Sequence, residues 1–382
     1  MCFSNRTLLF SDVRIESARF VRSGGISECH AVLHATDADA PYAKQLGDIH
    51  AAYFYLLSHF GGELHPVFRR YFLSDAANQQ ALLQQSENPY PPCAVSCVEQ
   101  PPLDGSKIAL WVYLQSGVEV SPIDGGVVAA HNGYGHIWTG GAAVADGDSA
   151  GQTEALLERY ADSLAPLGCT LEGDCVRTWF FVQNVDVNYA GVVQGRRELF
   201  ERHGLTPQTH YITSTGIEGR CADPRCSVLL DAYAVRGLRR GQQTYLHAPD
   251  HLNPTYEYGV TFERGVRVAY GDRCHVLLSG TASIDNRGEI VAPGDIAAQT
   301  ERMLENVGAL LSEAGTSPED LAQMIVYLRD GADYPVVRSI MDERFGSVPK
   351  VLVRAPVCRP GWLIETECIA VREEENPQFA PL

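Results

Sequence analysis

A helix–turn–strand segment occurs twice in this chain at one fixed offset, and that repeat limits the possible folds more than any other feature. The first copy reads Gln152-Thr-Glu-Ala-Leu-Leu-Glu158, then Gly168-Cys-Thr170, then Arg177-Thr-Trp-Phe-Phe-Val-Gln-Asn-Val-Asp186. The second reads Gln299-Thr-Glu-Arg-Met-Leu-Glu305, then Ala314-Gly-Thr316, then Met324-Ile-Val-Tyr-Leu-Arg-Asp-Gly-Ala-Asp333. Gln152 and Gln299 stand 147 residues apart, and so do Asp186 and Asp333. Such an offset marks two copies of one folding unit.

The copies extend in both directions. His136-Ile-Trp-Thr-Gly-Gly141 matches His275-Val-Leu-Leu-Ser-Gly280 as a strand ending in glycine. A second helix follows the shared strand, Ala190–Arg202 or Pro335–Arg344, with Gly204 or Gly346 as its stop signal. Two strand-like runs close each copy: His210–Gly216 and Ser227–Val235, then Lys350–Val357 and Trp362–Val371. The expected unit is β-β-α-β-α-β-β, an α+β arrangement. With both helices on one face, the other face of each sheet needs cover, and three such sheets can cover one another around an axis.

A third, decayed copy is expected upstream. Residues 48–59 read as its first helix, Val67–Leu73 as a strand and Asp75–Gln85 as its second helix. Ala94–Glu99 and Lys107–Tyr113 read as its last strands. The expected units are 1–116, 117–236 and 252–372, with a linker at 237–251 and a loose acidic tail at 373–382.

Composition narrows the function classes. The chain has 382 residues, with 47 acidic against 30 basic side chains and a net charge of -17. A surface of that sign repels nucleic acid and anionic membranes, while a small anionic substrate needs a local cluster of arginines or lysines. No apolar run is long enough to span a bilayer, and Met1-Cys-Phe-Ser-Asn-Arg6 lacks the pattern of a secretory signal. Eleven cysteines without such a signal point to reduced thiols in the cytoplasm. The pairs Cys93/Cys97 and Cys221/Cys226 have no matching second pair, Pro249 interrupts His247 and His251, and Asn132-Gly-Tyr-Gly135 has no phosphate-loop lysine. No metal or organic cofactor is expected.

The last copy resembles the RidA/YjgF family. The resemblance lies in Leu277-Leu-Ser-Gly280, Pro293-Gly-Asp-Ile-Ala-Ala-Gln-Thr300, Leu304-Glu-Asn-Val307, Val326-Tyr-Leu328 and Glu365-Thr-Glu-Cys-Ile-Ala-Val371. It implies a RidA-like trimer with clefts between units, here fused into one chain and monomeric as a pseudo-trimer. A narrower resemblance, to the chorismatases, lies in Tyr211-Ile-Thr-Ser-Thr-Gly-Ile-Glu-Gly-Arg220, His251-Leu-Asn-Pro-Thr-Tyr-Glu-Tyr-Gly259, Phe262-Glu-Arg-Gly265 and Arg354-Ala-Pro-Val-Cys-Arg-Pro360. It implies cleavage of chorismate to pyruvate and a ring product, either 3-hydroxybenzoate or a dihydroxycyclohexadiene carboxylate. The alternatives are a RidA-type imine hydrolase and a non-catalytic ligand-binding pseudo-trimer. The RidA resemblance places a carboxylate-binding arginine where this chain has Lys350, a point charge without the bidentate fork.

Cleaving an enol ether requires a proton on the terminal methylene carbon, hence a carboxylic acid beside the substrate arm. Glu365 is the candidate acid. Strand alternation puts it on one face with Glu367, while the middle copy has Leu229 and Asp231 there. The chorismatase resemblance gives Glu365 the essential role and implies that Cys358 selects the product, cysteine accompanying 3-hydroxybenzoate. Arg220 and Arg354 are the candidate carboxylate clamps, each with a salt bridge to Glu218 or Glu367 as the competing reading. Tyr211, Thr215 and Gly216 are candidate cleft residues from the middle copy, Tyr258 and Gly259 from the last. Arg359 reads as a surface residue, and the aromatic run Arg177-Thr-Trp-Phe-Phe-Val182 as core.

Overall fold

The structure, a computed structural model, describes residues 3–22, 25–59, 64–87 and 91–382. The N-terminal unit runs β1 (Phe3–Phe10), β2 (Val13–Phe20), β3 (Glu28–Ala35), α1 (Tyr42–His59), β4 (Leu64–Leu73), α2 (Ala76–Glu87), β5 (Ala94–Glu99) and β6 (Ile108–Ser116). The middle unit runs β7 (Glu119–Ile123), β8 (Gly126–His131), β9 (Tyr134–Ala143), α3 (Ser149–Leu164), the single turn α4 (Leu171–Asp174), β10 (Cys175–Val182), α5 (Val185–Arg202), β11 (Thr213–Glu218) and β12 (Val228–Arg236). The C-terminal unit runs β13 (Gln243–Leu246), β14 (Gly265–Ala269), β15 (Arg273–Ala282), α6 (Ile296–Glu313), β16 (Leu321–Leu328), α7 (Tyr334–Phe345), β17 (Lys350–Arg354) and β18 (Ile364–Glu373).

The three sheets share one topology. Their strand orders are β1-β2-β3-β6-β4-β5, β7-β8-β9-β12-β10-β11 and β13-β14-β15-β18-β16-β17. Only the β4/β5, β10/β11 and β16/β17 pairs are parallel. In the first two units the helices cover the outer face of their own sheet with separate apolar clusters. The inner faces meet in a shared core, where Phe68 and Trp111 of the first sheet meet Trp138 and Trp179 of the second at centroid distances of 5.0–6.4 Å. Aromatic rings bury the largest area per residue, so this contact is a major source of inter-unit stability.

The fold corrects three sequence expectations. Each unit begins with an additional strand, giving β-β-β-α-β-α-β-β. These first strands are sheet edges, and their exposed, mixed sequences carry little apolar alternation. The expected linker at 237–251 contains one of them, β13. The tail is fastened: the Asn376 side chain donates to the Tyr270 carbonyl, the Leu382 amide donates to Asp272 at 2.9 Å, and Leu382 is buried.

The repeated glutamine has a structural reason. Gln152 and Gln299 are fully buried in the first turns of α3 and α6. Gln152 donates to the carbonyls of Gly147 and Arg225 and accepts from the Ser227 amide. Gln299 likewise joins Ala292 and Gly361 to the Leu363 amide. Gln45 occupies the same place in α1, donating to Asp37 and Ala40 and accepting from Lys107. One amide thus ties the loop before the first helix to the loop before the last strand in all three units, satisfying backbone groups that burial would otherwise strand.

Candidate active site

Glu365 stands near the start of β18, opposite Tyr327 of β16 and Ala282 of β15. The same register position is Leu229 in β12, opposite Phe181 and Ala143, and Ala109 in β6, opposite Phe72 and His34. One unit of three therefore carries an acid there. The β15/β18 ladder slips at Ser279 and Gly280, a bulge that makes room for the side chain. A methyl group on Gly280 would overlap the Glu365 carboxyl, so glycine here lets the acid rest against the bulge.

The carboxyl faces a cleft between the middle and C-terminal units. The middle unit contributes Tyr189, Arg196, Ser214 and Gly216, and the C-terminal unit contributes Phe262, Arg264, Cys358, Arg359 and Trp362. Tyr189 and Arg196 are seven residues apart on α5, two helical turns, and so share a face. Arg196 is buried, its Nε donating to Thr261 at 3.0 Å. Arg264 donates to the carbonyl and side chain of Asn253. Both guanidiniums stand near the Phe262 ring, Arg196 at 5.9 Å and Arg264 at 5.5 Å from its centroid. Two held cations lining one cleft suit a ligand with two carboxylates.

Burial pushes the Glu365 carboxyl up to about 8, and the neighbouring Glu367 adds to the rise against the opposing pull of Arg177 and Arg264. Glu365 is 4 % exposed. Its side chain takes part in none of the hydrogen bonds among the described residues, so the acid holds its proton near neutral pH and faces the cleft. Glu367, on the same face, is differently placed: it accepts from Arg177 at 2.8 Å, Trp179 at 2.7 Å and Thr215 at 2.5 Å. Cys358 lines the cleft beside Glu365, and burial, with the acid's charge second, pushes its thiol up to about 12.

Of the residues expected from sequence, Glu365, Cys358 and Gly216 meet in this cleft. Thr215 lies just behind its wall, accepting from the Gly280 amide. Tyr211 lines an adjoining chamber that shares Arg264 with the cleft. The Gly259 carbonyl accepts from Arg197, and the Tyr258 side chain lies outside the described residues. The two expected clamps are corrected: Arg220 is exposed and paired with Glu99 of the N-terminal unit at 2.7 Å, and Arg354 is exposed at the end of β17. Neither lines the cleft. Arg359 is exposed as expected, yet it lines the cleft with its guanidinium over Trp362. The cations sequence reasoning missed, Arg196 and Arg264, left only weak signals: a helix-face spacing and the Phe262-Glu-Arg-Gly265 motif.

The other two interfaces have their own clefts. One, between the first two units, is lined by Val95, Cys97, Gly141 and Leu229. The other, between the C- and N-terminal units, holds Arg14, Glu16, His34 and Asp104 against Arg338, Asp342 and Lys350. Lys350 is buried there, 3.2 Å from Asp342, with its amide donating to Glu16. The lysine and Glu365 therefore open into different clefts.

Residues 266–372 match the family model described as Endoribonuclease L-PSP. A RutC family protein of Pyrococcus abyssi is 40% identical over 101 residues, spanning 26% of this chain and 79% of that protein. The chain belongs to the endoribonuclease L-PSP (RutC) family. The 3-aminoacrylate deaminase RutC of Acinetobacter baylyi is 35% identical over 97 residues, covering 25% of this family member and 77% of that enzyme. Among solved structures, a chorismatase crystal structure superposes with a TM-score of 0.64 at 20% identity, over 80% of this chain and 92% of that one. That superposition shows that the family's fold is used here in a three-unit chain. No described helix is long and apolar enough to cross a membrane.

Proposed function

We propose that the chain cleaves the enolpyruvyl ether of chorismate, releasing pyruvate and 3-hydroxybenzoate. The observation that carries this reading is the buried Glu365 carboxyl, which makes no hydrogen bond among the described residues, in a cleft lined by Arg196, Arg264 and Arg359, where burial raises its hold on a proton. Arg196 and Arg264 hold the two carboxylates of the substrate. Glu365 donates its proton to the terminal methylene carbon, and the ether oxygen's lone pair stabilises the cation that results. Water attack on that cation gives pyruvate and a dihydroxycyclohexadiene carboxylate. In the other route the ring C3–O bond breaks as pyruvate leaves, the C4 hydroxyl oxygen bonds to C3 and returns its proton to Glu365, and the C4–O bond then opens as the C3 proton moves to that oxygen; 3-hydroxybenzoate and pyruvate are together an isomer of chorismate, so that route consumes no water. Fixed guanidiniums keep the dianion in place while charge moves from the acid to the substrate.

Imine hydrolysis of the RidA type is a weaker reading. The carboxylate-binding position, here Lys350, and the acid Glu365 line separate clefts, and Lys350 is engaged by Asp342.

The direct test is incubation with chorismate, following pyruvate and the ring product by chromatography. No pyruvate above the background rate would end this reading. Arg196→Met and Arg264→Met are each expected to raise KM for chorismate by ~10–100-fold, the value of a charge-assisted contact of about 1.5–3 kcal/mol. Unchanged KM in both would remove the clamps. Cys358→Ala is expected to shift product from hydroxybenzoate towards the diol, because it opens space for water beside the acid. An unchanged ratio would remove that role.

A further inference from the structure

The N-terminal unit has no acid at the position of Glu365, yet it sends one charge into the centre of the molecule. Arg70 of β4 is fully buried. Its guanidinium lies 4.7–5.3 Å from the ring centroids of Phe68, Trp111, Trp179 and Phe181. Nε and Nη2 donate to Asp231 of the middle unit at 3.0 and 2.8 Å. Nη1 makes no hydrogen bond and stands 3.8 Å from Glu367 of the C-terminal unit. Arg177 of the middle unit completes the chain on the far side of Glu367. Four charges from three units thus form one buried row: Asp231, Arg70, Glu367, Arg177.

We propose, resting on the reading of Glu365 above, that Arg70 is a positioning residue for that acid and acts through Glu367. Every neighbour that Glu367 hydrogen-bonds is a donor: Arg177, Trp179 and Thr215. Three donors thus surround Glu367, whereas Glu365, on the same strand face, makes no hydrogen bond among the described residues. Arg70 supplies the fourth side of this cage, sealed from water by aromatic rings. Thr215 extends it to the Gly280 amide, and hence to the bulge against which the Glu365 carboxyl rests.

The charged and titratable groups facing Glu365 are Glu367 on its own strand, Arg177 on β10, Tyr327 on β16, Arg264 before β14 and Cys358 before β18. Arg196, Tyr189 and Arg359 line the same cleft. Arg70 makes no contact with Glu365 among the described residues, and Glu367 is the acid that stands beside both.

The test follows the Glu365 side-chain carbon by NMR titration of the full chain, the resonance being assigned by its loss in Glu365→Gln. Glu367→Gln is expected to lower the Glu365 midpoint by ~1 unit or more, since a neighbouring negative charge is gone. Arg70→Met combined with Asp231→Asn, which removes the pair without stranding a buried acid, is expected to raise it by ~0.5 unit or more. Arg70→Lys keeps the charge and is expected to return the midpoint to its unaltered value. The high-pH limb of chorismate turnover should move with each midpoint. Shifts of the same sign in the two charge-removing variants, or none in either, overturn the proposal. Opposite shifts in a chain that leaves chorismate untouched would defeat the proposed reaction and leave the link from Arg70 to Glu365 standing.

Discussion

Replacing Glu365 by Gln is expected to lower chorismate turnover by ~10²–10⁴-fold, the usual contribution of a positioned general acid. Glutamine keeps the shape and fills the same space beside Gly280, so the fold is retained. The same substitution is expected to stabilise the chain at alkaline pH. The folded-state value of Glu365, about 8, lies above its ordinary value of 4.5. Its favourable contribution is fully present below pH 4.5 and is lost as pH rises through about 8. Above that, a buried carboxylate costs up to roughly 5 kcal/mol at 1.36 kcal/mol per unit. Thermal melts at pH 9 should therefore show Glu365→Gln unfolding at higher temperature than the unaltered chain, with the gap closing near pH 5. A residue kept for packing would give no such crossover, and full turnover in the variant would exclude Glu365 as the acid. Turnover itself should be level below about pH 8 and fall above it, as the proton leaves.

Gly280→Ala is the second large effect. The added methyl would overlap the Glu365 carboxyl, and both neighbours on the bulge, Ser279 and Thr281, are buried. The strand cannot move away, because the Gly280 amide is held by Thr215 and the Ser279 hydroxyl donates to the Glu263 carbonyl. The acid must swing instead, and a misplacement of about 1 Å at a reacting centre costs ~10²-fold. kcat is expected to fall by at least that factor while KM, set by Arg196 and Arg264, changes little. Ala at Gly141, the corresponding bulge position beside Leu229, meets backbone strain at its φ of 68° but no catalytic acid, so it should cost stability while kcat of the folded protein changes little. A kcat loss of equal size there would mean that general loosening of the sheets, rather than contact with the acid, explains both.

How much of this was legible depends on where each signal lies. The units were readable because the buried glutamine at Gln152 and Gln299 performs the same backbone task twice, and a task that needs one amide in one place preserves its spacing. The edge strands Glu119–Ile123 and Gln243–Leu246 were not, because exposed and half-buried positions fill most of both and no apolar period marks them. Glu365 was singled out mostly by the chorismatase resemblance, with support from a comparison internal to the chain, acid against leucine at one strand position. The clamps were not. Arg220 and Arg354 have the same local appearance as Arg196 and Arg264, and only the packing of α5 and of the segment before β14 against the cleft separates a buried guanidinium from a surface one. Sequence gives charge and spacing, whereas the direction of a long side chain is set by contacts between distant elements.

A symmetric assembly of three identical subunits would have to repeat any side chain it places in an inter-subunit groove. An uncompensated acid such as Glu365 would then weigh on folding three times over, and the lysine of Lys350 would sit opposite it in every groove and quench it. Joining the units end to end releases the chain from that arithmetic. It can keep a single high-energy group at one seam and fill the second seam with leucine. At the third, His34 is held between Glu16 and Asp104.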